Sequence, residues 1–338
     1  MVALYVTSLQ GGVGKTAICA GLGKHLLGDG KKIGFFKPLI ADTKEPPIEG
    51  IDSDAAFMKH IFALKEPAER LCPVISDGSN LTSRIKEAYA RVSRGKDVVI
   101  IEGIGEQSQA CYKVVEILQA RIIILEGYSQ ELPGIEVTNR YKDFGEYLLG
   151  VVLNRVPRSQ LERVRDEMSA TFGAAGINIL GVLPEDRVLF TLTIGELAEH
   201  IQGEILNCAE QSVELVENFM LGAMVVDPGP EYFNRKANKA VVVRGERPDM
   251  QLAALETPTR CLVLSGNTAP TPAVSYRAEN KKVPIISTKE DVAAIVTSIE
   301  DALDKTRLNQ EKKLPKLTEI MEQHFNFQTV YQGLGLVR

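Results

Sequence analysis

The sequence predicts an α/β fold: a doubly wound, mostly parallel sheet followed by a second, smaller α/β domain. Three observations carry this. Short apolar runs alternate with amphipathic stretches along most of the chain, as in βαβ units. One of those runs, Val98-Val99-Ile100-Ile101, sets β-branched residues side by side, the mark of a strand buried on both faces of a sheet. The 338 residues exceed the usual single-domain length of about 100–200, so a second domain is expected.

The first element is the most informative. The apolar run Val2 to Val6 leads into Thr7-Ser8-Leu9-Gln10-Gly11-Gly12-Val13-Gly14-Lys15-Thr16, and an amphipathic run starts at Ala17. A buried strand that feeds a glycine-rich turn and opens a helix aims several backbone N–H groups at one point. The positive end of the helix dipole lies behind them, so the turn suits a phosphate. Gly11, Gly12, Val13, Gly14, Lys15 and Thr16 would form the cradle of a P-loop NTPase, with Lys15 on the outer phosphates and Thr16 on Mg2+. The pattern G-x-x-x-x-G-K-[ST] has one departure, Leu9 in place of its first glycine. The alternative is a glycine-rich turn with a surface lysine.

The first helix should stop near Gly28-Asp29-Gly30, before a short strand over 32–36 and Lys37-Pro38-Leu39. Residues 41–50 are polar, carry Pro46-Pro47 and read as a loop. Asp52-Ser53-Asp54 has the chemistry of a helix start, followed by Ala55, Ala56, Met58 and Ile61; another helix is expected over 81–94. Glu102 closes the strand begun at Asp97, where open α/β sheets bind ligands and where P-loop proteins keep an acid for magnesium. Its alternative is an ordinary helix-capping role. Strands over 121–125, 148–153 and 178–183 alternate with helices over 132–144 and 159–172, and a helix over 194–201 closes a first domain of residues 1–205.

The pattern weakens over 206–214, which reads as a linker. Strands over 219–226, 239–243, 260–264 and 283–286 then alternate with helices over 228–233, 249–255, 272–279 and 290–302, giving a second domain over 215–303. Residues 304–338 form a helical tail, with Leu308, Leu314, Leu317, Ile320 and Met321 at helical spacings.

Charge and composition exclude several functions. Lys+Arg 39 against Asp+Glu 44 gives a net charge of −5, and no long basic block occurs, so neither nucleic acid nor an anionic membrane is expected as the main partner. No apolar run approaches the roughly 18 residues that span a bilayer, and the chain enters its first strand without a cleavage-site pattern, so a cytoplasmic location is expected. The cysteines at 19, 72, 111, 208 and 261 lack C-x-x-C spacing, which reads as reduced thiols without zinc.

The ordered set Gly-Gly-Val-Gly-Lys-Thr at 11–16, Phe-Lys-Pro-Leu at 36–39, Asp-Ser-Asp-Ala at 52–55, Ile-Glu-Gly-Ile-Gly at 101–105, Leu-Asn-Arg-Val at 153–156 and Leu-Gly-Val-Leu-Pro-Glu at 180–185 resembles dethiobiotin synthetase and related cobyrinate amidase-type P-loop proteins. The resemblance covers residue 1 to about 205. It implies ATP and Mg2+ as cofactors and a homodimer. By the same resemblance Lys15, Thr16, Lys37, Asp54 and Glu102 lie at the phosphates and metal, with Lys37 over the reacting phosphate, and Asn154 reads the adenine edge. Read without it, Lys37 could be an exposed lysine, Asp54 a helix cap and Asn154 a turn or cap residue. Departures weigh against biotin chemistry: Leu9-Gln10-Gly11-Gly12 replaces a Thr/Asp-containing loop, and Glu106 replaces a second glycine. Gln10 also stands where partitioning and septum-site ATPases carry a lysine that reaches across a dimer.

Residues 215–303 resemble the DRTGG-type domain through Leu221 to Met224, Val243-Arg244-Gly245-Glu246-Arg247-Pro248-Asp249 to Leu255, Leu264-Ser265-Gly266 and Val283 to Ser287. The pairing resembles the N-terminal half of long bacterial phosphotransacetylases, and no acetyl-transferring domain is expected. Gly245 to Gln251 could bind an anion or small metabolite, or be a capped turn with Arg247 in an ion pair. The expected function is a nucleotide-dependent regulatory or metabolite-sensing protein linked to phosphotransacetylase-type metabolism. The alternative is an ATP-dependent ligase that phosphorylates a carboxylate or carbamate. No glutamine-hydrolysing site is expected, because Cys261 sits within a strand and the few histidines offer it no partner.

Overall fold

The computed structural model describes residues 1–8, 10–41, 52–76, 80–103, 109–129, 141, 144–222, 229–304, 306 and 308–336. Leu9, Glu106, most of the 41–50 loop and most of the expected helix over 132–144 lie outside them. The strands are β1 (Val2–Ser8), β2 (Ile33–Phe36), β3 (Leu39–Ala41), β4 (Val74–Ser76), β5 (Val98–Glu102), β6 (Arg121–Gly127), β7 (Leu148–Val156), β8 (Ile179–Pro184), β9 (Leu192–Thr193), β10 (Glu204–Ile205), β11 (Leu215–Val216), β12 (Asn218–Leu221), β13 (Lys239–Arg244), β14 (Thr259–Ser265) and β15 (Ile285–Ser287). The helices are α1 (Lys15–Gly28), α2 (Ser53–Ile61), α3 (Ala68–Leu71), α4 (Leu81–Ser93), α5 (Gln109–Leu118), α6 (Leu161–Ala174), α7 (Ile194–His200), α8 (Gly229–Phe233), α9 (Pro248–Leu255), α10 (Pro272–Lys281), α11 (Val292–Asp304), α12 (Leu314–His324) and α13 (Phe327–Gly333). They form two units, Met1–Asp186 with Leu308–Arg338, and Arg187–Arg307.

The first unit is built on a six-stranded sheet in the order β2-β5-β1-β6-β7-β8, parallel throughout. Every residue of β5 is buried, as its unbroken apolar run predicts for a central parallel strand. From β1 the chain crosses β5 to reach β2, whereas from β5 it crosses β1 to reach β6. The direction of winding therefore reverses beside β1, and a crevice opens at the carboxyl ends of the strands there.

The tail belongs to this unit. Helix α12 lies against α1, where a Cβ on Gly21 would fall 2.0 Å from Met321 Sδ. Phe325 makes an antiparallel bridge to Gly181, and the Asn326 N–H donates to the Leu180 carbonyl at 2.6 Å, so the tail covers the β8 edge.

The second unit has a five-stranded sheet ordered β10-β15-β14-β13-β12, parallel except for β10. Side chains alternate across it with the period of a pleated strand. Val241, Val243, Leu262 and Leu264 pack with Phe233, Met250 and Val274 of α8, α9 and α10. Ala240, Val242, Cys261 and Val263 pack with Leu197 of α7 and Ile295 of α11 on the other face. The strands β12 to β15 step in one direction only, so no reversal opens a crevice among them.

The division falls earlier than the sequence pattern suggested. Helix α7, expected to close the first domain, packs in the second, its start held by a capping box between Thr193 and Glu196. The expected linker over 206–214 is fastened to the β15 edge: the Leu206 N–H donates to the Ile285 carbonyl at 2.8 Å, and Asn207 bonds the Ile285 N–H and the Val283 carbonyl. Between β10 and β11 the chain holds only a three-residue 3-10 turn, Ala209–Gln211, too short to show a period, which is why this stretch read as linker. Among the described residues, no helix is long and apolar enough to cross a membrane.

Candidate functional site

The turn after β1 has the backbone of an anion cradle. Gly12 and Gly14 adopt left-handed φ of 72° and 99°, conformations that glycine takes without strain. Helix α1 begins at Lys15 with no side-chain cap and no acid in its first turn, so its first N–H groups and its dipole are open to an anion. The loop is braced from the sheet. Asn154 Nδ2 at the end of β7 donates to the Val13 carbonyl at 2.8 Å, and a Cβ on Gly14 would fall 2.7 Å from that nitrogen. Asn154 thus touches the loop itself.

Lys15 and Thr16 turn toward β1 and β5. Lys15 Nζ donates to Ser8 Oγ at 3.0 Å; burial lowers the pKa of its ammonium, with Glu102 acting the other way. Thr16 Oγ1 donates to Glu102 Oε1 at 2.8 Å. Glu102 pairs in register with Val6, which brings the acid level with the start of the turn. Only 3% exposed, its carboxyl is pushed up to about 7 by burial and by Asp54, against the pull of Lys37, Thr16 and Lys15.

Lys37 follows β2 and is not the exposed lysine that one sequence reading allowed. Its Nζ donates to Asp54 Oδ2 at 2.6 Å and to Asp52 Oδ1 and Oδ2 at 3.2 and 3.0 Å. Burial alone would lower its pKa, but Glu102, Asp54 and Asp52 more than offset it and hold the ammonium well above the usual lysine value. The cap of α2 is Asp52, whose Oδ1 accepts from the Ala55 N–H at 2.9 Å, so Asp54 in the first turn is spared that role. Asp54 is 4% exposed.

Two oxygens of this cluster lack partners. Asp54 Oδ1 and Glu102 Oε2 are buried and accept no hydrogen bond. A buried carboxylate oxygen without a donor is costly, and a cation relieves it. The donor set of Thr16, Asp54 and Glu102 is all oxygen, which fits magnesium. Among the described residues, no group of three His, Cys, Asp or Glu could hold a metal alone. Magnesium does not require one, because it usually takes one or two carboxylates and completes its shell with phosphate and water.

The structure thus brings Lys15, Thr16, Lys37, Asp54 and Glu102 together, with Gly11 to Gly14 and Asn154 at the adjoining loop. Sequence reasoning missed Asp52 as a partner of Lys37. The signal was Asp52 itself, the first acid of Asp52-Ser53-Asp54, read only as part of a helix start. Cys261 is fully buried in β14, its thiol pushed up to about 12 by burial, which makes it no nucleophile. In the second unit Arg247 bonds Asp249 at 2.8–2.9 Å, and Gln251 Nε2 donates to the Arg244 and Gly245 carbonyls, each at 3.0 Å. That turn is tied to itself.

A P-loop α/β domain with this site, followed by a distinct α/β unit, is the class defined by the geometry. The chain belongs to the AAA domain family, which it matches over residues 2–191, and it matches the DRTGG domain over residues 196–302. It is 23% identical to a phosphate acetyltransferase of Pseudomonas aeruginosa over 97% of this chain and 51% of that protein. It is 32% identical to an ATP-dependent dethiobiotin synthetase BioD of Caldicellulosiruptor saccharolyticus over 31% of this chain and 49% of that protein. The chain spans about half the length of the curated relatives it matches. Among solved structures, the cell division protein MinD of Aquifex aeolicus overlaps with a TM-score of 0.37 at 14% identity, covering 55% of this chain and 83% of that one, an overlap too loose to argue from.

Proposed function

We propose that the chain is a Mg-ATP-binding regulatory protein, a nucleotide-dependent switch whose second unit senses a small metabolite, working in phosphotransacetylase-type metabolism. One observation carries the nucleotide part: the buried, unpartnered Asp54 Oδ1 and Glu102 Oε2 belong to the same cluster as Lys15 and Thr16, at an uncapped helix start. In this reading Lys15 pairs with the outer phosphates, the amides of Gly11 to Gly14 surround them, and Thr16, Asp54 and Glu102 hold Mg2+, which neutralises phosphate charge. Asn154 steadies Val13 and reads the adenine edge with the rest of its amide.

The preference for a switch rests on the second domain, which matches the DRTGG domain over residues 196–302. The likeness to phosphate acetyltransferases supports the metabolic setting. The second reading, an ATP-dependent ligase, is favoured by the grouping of two lysines with two acids, a set that stabilises charge on a transferred phosphoryl group. We also place the protein in the cytoplasm as a homodimer, without nucleic acid or membrane as partner.

Thermal shift with Mg-ATP, Mg-GTP and buffer tests the proposal. A rise with Mg-ATP that disappears in Lys15→Ala is expected; no rise in any condition rejects nucleotide binding. Phosphate release stimulated by diaminopelargonate and bicarbonate would favour the ligase, whereas slow release indifferent to amines and carboxylates is expected of the switch.

A further inference from the structure

We infer that Asp52 is a positioning residue for Lys37, holding the ammonium at the nucleotide site when Asp54 is committed to the metal. This rests on the Mg-ATP reading above. Lys37 Nζ is shared between two carboxylates, at 2.6 Å from Asp54 Oδ2 and at 3.0 and 3.2 Å from the two oxygens of Asp52. The two acids differ in what else they can do. Asp54 is almost wholly buried and has an oxygen without a donor, so a divalent cation at the cluster competes with Lys37 for its charge.

Asp52 is fixed from the other side. Its Oδ1 receives the Ala55 N–H at 2.9 Å at the start of α2, which sets the direction of the carboxylate before any ligand arrives. The ammonium therefore keeps one anchor that the cation does not weaken. The main chain of Lys37 is pinned too, its N–H donating to the Leu71 carbonyl at 2.7 Å. With its root and its head both held, the long side chain reaches the site with little rotamer freedom left to lose on binding.

Because Asp52 also caps α2, the test must separate the cap from the anchor. Asp52→Ser keeps a good N-cap but is too short to reach Lys37, while Asp52→Asn keeps the cap and the reach without the charge. Calorimetric titration of the full chain with Mg-ATP should show about a tenfold loss of affinity in Asp52→Ser and a partial return in Asp52→Asn, with the unfolding midpoint unchanged. In a Lys37→Met background, Asp52→Ser should add no further loss, because residues that act through one another are not additive. Wild-type affinity in Asp52→Ser, or the same loss with and without Lys37, overturns the positioning role. A wild-type chain that binds no Mg-ATP overturns the nucleotide reading and this inference together.

Discussion

Glu102 shows how one residue links the site to stability. Its carboxyl, ordinarily near 4.5, is pushed up to about 7 by burial first and by Asp54 second. Between those values the folded chain keeps a proton that the unfolded chain has released, so stability falls as pH rises through that window. Urea unfolding without metal should give a lower midpoint near pH 8 than near pH 5.5, and Glu102→Gln should reduce the difference. Adding Mg2+ near pH 8 should restore the wild type and not the variant. A wild-type midpoint that rises over the same window would show that Glu102 is not the group responsible. The acid was legible in the sequence because four apolar residues before it announced a central strand with a polar end. That Lys37 and Asp54 share one site was legible only through the family resemblance, and their ion pair was not legible at all: 17 residues separate them, and no periodicity links a lysine after one strand to an acid in the next helix.

At the scale of elements, α1 is built to be approached closely. A Cβ on Gly23 would fall 2.1 Å from Phe62 Cζ and 2.5 Å from its Cε1, and that ring is itself buried. Glycine inside a helix costs about 1 kcal/mol relative to alanine, so Gly23→Ala gains that much from the helix. The displaced ring outweighs it, and a net loss of about 1–3 kcal/mol in denaturant unfolding is expected. In a Phe62→Ala background the same change should become neutral or stabilising; a stabilised single variant would show that the ring moves freely. The strands themselves were readable, since β1, β5, β6, β7 and β8 each present an apolar run and bury most of it. Helix α5 was not, and the paired β9 and β11 were too short to declare themselves.

For the whole molecule, the consequential fact is that the second unit interrupts the first. Leu314, Leu317, Ile320, Met321, Phe325, Val330 and Tyr331 of the tail are all buried. At about 1.5–3 kcal/mol for each large apolar side chain, their loss exceeds what a typical domain has to spare. A chain ending after Asp304 should therefore lose the cooperative unfolding of the P-loop unit and its Mg-ATP response, while the second unit keeps its own transition. Retention of the nucleotide response would show the tail to be dispensable. The sequence displayed the amphipathic helices of the tail but not their destination, because Met321 meets its partner Gly21 from the opposite end of the chain.

That arrangement dictates an order of events during synthesis. The β8 edge is translated by residue 184, but Phe325, which bridges to it, emerges only after the entire second unit. At roughly 5–20 residues per second, the growing chain waits on the order of ten seconds with that edge and the Gly21 face of α1 uncovered. The interrupting unit, continuous in the chain, can fold on the ribosome in the meantime, while the first unit is completed after it although its glycine-rich turn is made first.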